Sequence, residues 1–305
     1  MNKRKLIIIA GPTAVGKSKA AVALSKAIGG EVISADSMQV YRRMDIGSAK
    51  VTPEETEGVP HHLIDILEPQ EDFNVNRFQA LAKEAVEGIY ARGHVPVIAG
   101  GTGFYIQSVL YDIDFTENGD DRSYREELEA LAAREGPGKL SEMLRAVDPE
   151  AADSIHENNV KRMIRALEFY HETGEKISVH NETERRKESP FDFRYYVLTM
   201  DRARLYERID RRVDLMMEAG LLDEVRSLQA EGCREGMTSM QGLGYKQLLE
   251  YLNGNGTLEE AVERIKQETR HFAKRQLTWF KRERDIIYID VEKEDVQTVL
   301  RNGFE

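Results

Sequence analysis

The sequence predicts an α/β fold, a parallel sheet flanked by helices and interrupted by an inserted all-helical domain. Three observations predict it. An apolar run, Lys5–Ala10, passes through a glycine-rich loop straight into a helix-patterned segment. Strand-like and helix-like segments then alternate up to about residue 100, the pattern that pairs strands in parallel through right-handed crossovers. Between about Asp114 and Pro190 strand-like runs give way to polar amphipathic helices.

In chain order, Lys5–Ala10 is a β-rich run, and Lys17–Ile28 has helical periodicity through Ala21, Leu24 and Ile28 before stopping at Gly29-Gly30. Glu31–Ala35 is a second strand and Asn74–Arg92 an amphipathic helix ending before Gly93. Val95–Ala99 is a third strand, halted by Gly100-Gly101. The insertion carries helices at Arg122–Glu135, Lys139–Val147 and Val160–Thr173, bounded by loop-like Glu117–Asp121 and Glu184–Phe193. A strand, Tyr195–Met200, resumes the core. Helices at Arg204–Leu228, Gly244–Asn253 and Leu258–Arg284 follow, then a last strand, Ile286–Asp290. The division expected is a core of residues 1–115 and 194–305, with the insertion at 116–193.

Composition narrows the function classes. With 41% apolar and 32% charged residues over 305 positions, the chain can bury a core, so disorder and fibrous repeats are excluded. The longest clean apolar run near the start, Leu6–Ala10, falls far short of the roughly 18 residues of a membrane span. The single cysteine, Cys233, can form neither an internal disulfide nor a cysteine-based metal cage, which suits a cytoplasmic setting. His61-His62 lack a third ligand at usable spacing and are taken as pocket or structural residues. A net charge of −11 argues against indiscriminate nucleic-acid binding. Yet Val262–Arg284 holds eight basic residues against three acidic ones, +5 locally, so charge is segregated.

The strongest single motif is Gly11-Pro12-Thr13-Ala14-Val15-Gly16-Lys17-Ser18, which matches G-x-x-x-x-G-K-[ST] between a strand and a helix. A chance match in a chain of this length is about one in a hundred before that context is required. Backbone amides and a helix N-terminus can wrap an oxyanion there, Lys17 can neutralise it, and the Ser18 hydroxyl can ligate Mg²⁺. The core is therefore expected to be P-loop NTPase-like. The strand Val95–Ala99 ends in Gly100-Gly101-Thr102-Gly103 without the carboxylate usual in NTP-hydrolysing relatives of this loop. Asp36 instead closes the strand Glu31–Ala35, at the sheet edge where open α/β sheets bind ligands. On the residues alone, Asp36 is a base, a metal-shell group or a turn cap.

The segments GPTAVGKS, SADSMQVYRRMDIGSAK, PHHLIDI, PVIAGGTGFY, NNVKRMIRALE, RIDRRVDLM, GLGYKQ and KRQLTWFKR run along nearly the whole chain and resemble the bacterial tRNA dimethylallyltransferase (isopentenyltransferase) family. The resemblance implies transfer of a prenyl group from dimethylallyl diphosphate to N6 of adenosine 37 in tRNA, releasing pyrophosphate with Mg²⁺. It makes Asp36 the general base, 19 residues past Lys17, and Thr102 the residue that positions the target base. Arg208 and Arg212, i and i+4 on one helix face, can clamp a diphosphate together, with Arg208 favoured for catalysis beside Lys17. Expected tRNA contacts are Asp36, Ser37, Met38 and Gln39; Thr102; Arg125; Lys161, Arg162, Met163, Ile164 and Arg165; Gln241, Gly242, Leu243, Gly244, Tyr245 and Lys246; and Lys274, Arg275, Gln276, Leu277, Thr278, Trp279, Phe280 and Lys281. On the residues alone, Trp279 and Phe280 at helical spacing read more readily as core residues than as RNA contacts.

Because adenosine 37 stacks in the anticodon loop, it must be extruded to reach Asp36, through a channel expected between core and insertion. A monomer is expected. The competing readings are a P-loop small-molecule kinase with the insertion as lid, a noncatalytic RNA-binding or nucleotide-switch protein, and a free-adenylate isopentenyltransferase.

Overall fold

The computed structural model describes residues 3–115 and 123–303. They form two compact units, Met1–Leu110 with Pro190–Glu305, and Tyr111–Ser189. The predicted loop Glu117–Asp121 and the helix start at Arg122 lie outside the described residues.

In the first unit six strands form one wholly parallel sheet. They are β1 (Arg4–Ala10), β2 (Gly30–Ala35), β3 (His61–His62), β4 (Val95–Gly100), β5 (Phe191–Thr199) and β6 (Ile286–Asp290), in the order β3-β2-β4-β1-β5-β6. Leu6, Ile7, Ile8 and Ile9 are all buried, the continuous apolar run of a strand covered on both faces. Helices α1 (Lys17–Ile28), α2 (Val75–Ala91) and α3 (Gly103–Leu110) alternate with the early strands. Pairing Ala10 with Gly100 and Ala35 with Gly100 brings the loops after β1, β2 and β4 to one edge of three adjacent strands. The topology thus places the phosphate loop, Asp36 and Thr102 side by side.

The second unit is all helical: α4 (Ser123–Glu135), α5 (Pro137–Val147), α6 (Pro149–Ser154), α7 (Val160–Thr173) and α8 (Ile177–Arg186). Leu128, Leu140, Leu144, Met163, Ile164 and Leu167 fill its core. Asp148 Oδ1 caps α6 through Ala151 N, and its two oxygens take the Ser178 hydroxyl and amide.

The first unit continues with α9 (Arg202–Glu218), α10 (Leu221–Ala230), α11 (Tyr245–Leu252), α12 (Leu258–Phe280) and α13 (Val296–Asn302). The single helix expected over Arg204–Leu228 is two, because Gly220 adopts φ 99°, a left-handed turn that ends α9 and starts α10. The helix expected to reach Arg284 stops at Phe280. The strand expected from Tyr195 begins at Phe191, where it already pairs with Arg4. The short β3 has too few residues to show alternation, and α3 is buried on nearly every face, so neither has a readable period.

At the amino ends of the strands, Glu31 binds Arg92 through both oxygens and also pairs with His62 and His94. The Arg92 bonds above all hold this buried carboxyl down to about 2, and the two histidines assist. His62 is therefore a structural partner on the edge away from the phosphate loop. Among the described residues no helix is long and apolar enough to cross a membrane.

Candidate active site

The loop between β1 and α1 turns through Ala14 (φ 65°) and Gly16 (φ 106°). Gly16 is the N-cap of α1, has no side-chain cap, and is followed by no acidic residue in the first turn. The leading amides of α1 thus face outward with the positive end of the helix dipole, the arrangement that binds an anion. Lys17 Nζ donates to Pro12 O at 2.8 Å. Burial pushes its pKa down to about 8, Asp36 opposing and Arg212 assisting.

This loop floors a cleft of about 420 Å³ lined also by Asp36, Gln39, Ser48, Ala49, Glu55, Ala99, Gly100, Arg208 and Arg212. Ser18 and Lys19 line it too. Four cations (Lys17, Lys19, Arg208, Arg212) face two carboxylates (Asp36, Glu55). Neither arginine has an ion-pair partner within 4.0 Å among the described residues. Arg208 is exposed and Arg212 half-buried. Burial lowers the Arg212 pKa, Asp36 and Glu55 oppose that shift, and Arg208 adds to it. Two unneutralised guanidinium groups opposite a phosphate loop suit a polyanion.

Asp36 does cap its turn: Oδ1 accepts from Met38 N at 2.9 Å. Its other oxygen has no hydrogen-bond partner among the described residues, so the cap fixes the carboxyl and leaves one oxygen for chemistry. Gln39 Oε1 accepts from Ser34 Oγ (2.9 Å), and Gln39 Nε2 donates to Ala49 O (3.3 Å).

The wall carrying Ser48 and Ala49 is held from behind by Glu224, which no sequence motif marks as functional, and by Tyr245 of the GLGYKQ segment. Glu224 on α10 accepts from the amides of Asp45, Ile46 and Gly47, at 3.0, 2.8 and 3.1 Å. Tyr245 donates to Glu224 Oε1 at 2.6 Å and accepts from Ser48 N at 3.1 Å. Glu55 also escapes the sequence reading. Its signal is the Thr52–Glu55 pair, where Thr52 N donates to Oε2 and Thr52 Oγ1 accepts from Glu55 N, a pattern that reads as local capping rather than as a site.

The structure divides the expected RNA contacts. Met38 Sδ crowds Gly242, so the segments Asp36–Gln39 and Gln241–Lys246 adjoin. Gln241 is exposed, but Tyr245 is fully buried and is used internally. On α12, Lys274, Arg275, Thr278 and Trp279 line an open groove of about 390 Å³ with His271 and Arg282. Trp279 meets Phe104 edge-on at 6.0 Å. Phe280 and Gln276 are buried: Phe280 packs the core, and Gln276 bonds to loops of the cleft. Leu277 packs partly against Leu205 and Ile209.

In the second unit Lys161 and Arg162 are exposed, whereas Met163 and Ile164 are core residues. Arg125 is committed to Glu168 by two bonds of 2.7 and 2.6 Å. Arg165 is half-buried beside that pair, and its pKa is lowered by burial against the pull of Glu168 and Glu172. Thr102 is half-buried, directly preceding α3, and is not among the residues lining the 420 Å³ cleft. Cys233 is buried.

For a metal, the cleft offers oxygen only: the Ser18 hydroxyl and the carboxylates of Asp36 and Glu55. Among the described residues no three His, Cys, Asp or Glu side chains form a cage. That set fits a hard cation carried largely by substrate oxygens and water.

The model of the IPP transferase family matches residues 39–283, and that of isopentenyl transferases matches 4–72. A tRNA dimethylallyltransferase of Lachnoclostridium phytofermentans is 59% identical over 93% of this chain and 91% of its own. The crystal structure of the full-length tRNA isopentenylpyrophosphate transferase of Bacillus halodurans superposes with a TM-score of 0.74 at 46% identity, covering 99% of this chain and 94% of that one. A eukaryotic dimethylallyltransferase, described crystallographically as acting on tRNA, gives 0.83 at 32% identity over 98% and 77%. Matched by that family model over residues 39–283 and 59% identical to a relative over 93% of its own length and 91% of the relative's, this chain belongs to the IPP transferase family.

Proposed function

We propose that the protein is a cytoplasmic enzyme that transfers the dimethylallyl group of dimethylallyl diphosphate to N6 of adenosine 37 in tRNA. The observation that carries this reading is the half-used carboxylate of Asp36 in the same cleft as the phosphate loop and the unpaired Arg208 and Arg212. N6 attacks C1 of the prenyl group, the C1–O bond breaks, pyrophosphate leaves with the bonding electrons, and Asp36 accepts the N6 proton. An exocyclic amine is a weak nucleophile with a feebly acidic N–H, so a carboxylate placed to take its proton lowers the barrier. Lys17, the α1 amides, Arg208 and Arg212 stabilise the charge that develops on the leaving group. Ser18 with diphosphate oxygens would hold Mg²⁺, which supplies further charge neutralisation there. Thr102, beside Asp36 at the strand ends, orients the adenine, which must be extruded from its stack to enter.

Unmodified tRNA incubated with enzyme, Mg²⁺ and dimethylallyl diphosphate should yield N6-(dimethylallyl)adenosine on nucleoside mass spectrometry. Asp36→Asn, which keeps shape but accepts no proton, should slow single-turnover chemistry by about 10²–10⁴-fold with tRNA affinity much less changed. Unmodified tRNA together with ADP release from ATP would overturn the reading in favour of a kinase. Near-normal turnover in folded Asp36→Asn would remove Asp36 from the mechanism.

A further inference from the structure

Gln276 lies on the inner side of α12, 5% exposed, and its amide joins two loops that are far apart in sequence. Oε1 accepts from Thr13 N at 2.9 Å, and Nε2 donates to Gly101 O at 3.0 Å. A backbone N–H can only donate and a carbonyl can only accept, so the two partners fix which end of the amide faces which loop. The bridge needs one donor and one acceptor on a planar fork, which a carboxylate, a hydroxyl or an aliphatic group of this length cannot supply. A Cβ at Gly101 would overlap Nε2, so the glycine there makes room for this amide.

The two bridged residues flank the cleft. Thr13 belongs to the phosphate loop and lines it, and Gly101 follows Gly100, which also lines it, and precedes Thr102. Because its amide is taken by Gln276, Thr13 contributes no N–H to an anion while this bond stands; its role is to anchor the loop. Beyond the pairing of Ala10 with Gly100, the two backbone walls are thus tied together by one buried side chain from a third element.

We infer that Gln276 is a positioning residue for the transfer reaction, holding the phosphate loop and the Gly101–Thr102 loop at the separation that the diphosphate requires. The inference rests on the diphosphate reading of the cleft given above. Gln276→Leu keeps the volume and removes both bonds. Gln276→Glu keeps the acceptor for Thr13 N but sets an oxygen against Gly101 O.

The test is calorimetric titration of the full-length protein with inorganic pyrophosphate and Mg²⁺, with tRNA affinity and melting temperature measured alongside. Both variants, folded at the assay temperature, should bind pyrophosphate about tenfold or more weakly at pH 8, with tRNA affinity within about threefold of wild type. Protonating the introduced carboxyl restores an O–H donor to Gly101 O. The affinity of Gln276→Glu relative to wild type should therefore recover as pH falls from about 8 to about 5.5, a response that a purely structural lesion lacks. Wild-type pyrophosphate affinity in folded Gln276→Leu, or a Gln276→Glu ratio independent of pH, would overturn the inference. Absence of pyrophosphate binding by the wild-type protein would instead overturn the diphosphate reading itself, and is seen before any variant is compared.

Discussion

Lys17 is the residue at which burial and function pull hardest against each other. In the free protein, burial and then Arg212 disfavour its charge while Asp36 favours it, and the balance stands at about 8. Below that pH the ammonium form prevails and is ready for a phosphate oxygen; above it the neutral amine prevails and must take up a proton to bind. A bound diphosphate favours the charged form, so it raises this pKa and its binding is linked to proton uptake. The contribution of Lys17 to pyrophosphate affinity should therefore be full below about pH 8 and weaken as pH rises through it, by at most about tenfold per unit. Calorimetry at pH 8.5 in two buffers of different ionisation enthalpy reads the uptake. The portion that disappears in Lys17→Ala is the lysine's share, separate from the titration of pyrophosphate itself. The same variant should lose about 2–4 kcal/mol in transition-state stabilisation, read from kcat/KM for dimethylallyl diphosphate. Identical uptake in wild type and Lys17→Ala would show that Lys17 does not gain its proton there.

Among elements, the segment Met44–Lys50 shows how a wall with no regular structure can still be rigid. Glu224 collects three consecutive backbone amides and the Tyr245 hydroxyl, and Tyr245 takes a fourth amide. The phenol is pushed well above its ordinary range, first by burial and then by Glu224, so it stays a donor. Tyr245→Phe removes the bond to the carboxylate and strands Ser48 N. It should cost about 1–3 kcal/mol in urea denaturation and lower kcat/KM severalfold. Wild-type stability in that variant would mean that the wall is held by other interactions. These residues also mark how far the sequence could be read. Gly11–Ser18 and Asp36 were legible because their chemistry is local: a loop, a helix start and a strand end declare themselves within eight residues or fewer. Glu224 acts on amides 177–179 positions away and Gln276 on partners 263 and 175 away, pairings that impose no period and no spacing on the chain. The family motifs did mark GLGYKQ and KRQLTWFKR as important. They did not show that Tyr245 and Gln276 face inward, because motif identity carries no information about which side of a helix is buried.

For the whole molecule, a chain of net charge −11 must bind a polyanion through local cation density, and the structure shows where that density is left available. In the first half of α12, Arg264, Lys266 and Arg270 are spent on Glu250, Asp214 and Asp210, so part of the +5 segment is internal ion pairing. Toward the end of α12 and just past it, Lys274, Arg275, Lys281 and Arg282 have no ion-pair partner within 4.0 Å among the described residues. Of the cations expected to meet RNA in the second unit, Lys161 and Arg162 stand exposed at the start of α7, whereas Arg125 is held by Glu168. Removing one cation that neutralises a phosphate should flatten the dependence of log affinity on log salt by about 0.7–0.9. Lys161→Ala with Arg162→Ala should therefore reduce the slope for tRNA by about 1–2, and Lys274→Ala with Arg275→Ala by a similar amount. If the two patches touch separate phosphates, the slope of the fourfold variant should fall by the sum of the two reductions. Pyrophosphate affinity should stay at the wild-type value throughout, because none of the four residues lines the diphosphate cleft. Filter-binding titrations at four or more salt concentrations measure the slopes. An unchanged slope in either double variant would remove that patch from the RNA footprint, and a matching fall in pyrophosphate affinity would show that the substitution had disturbed the cleft rather than an interaction with RNA phosphate.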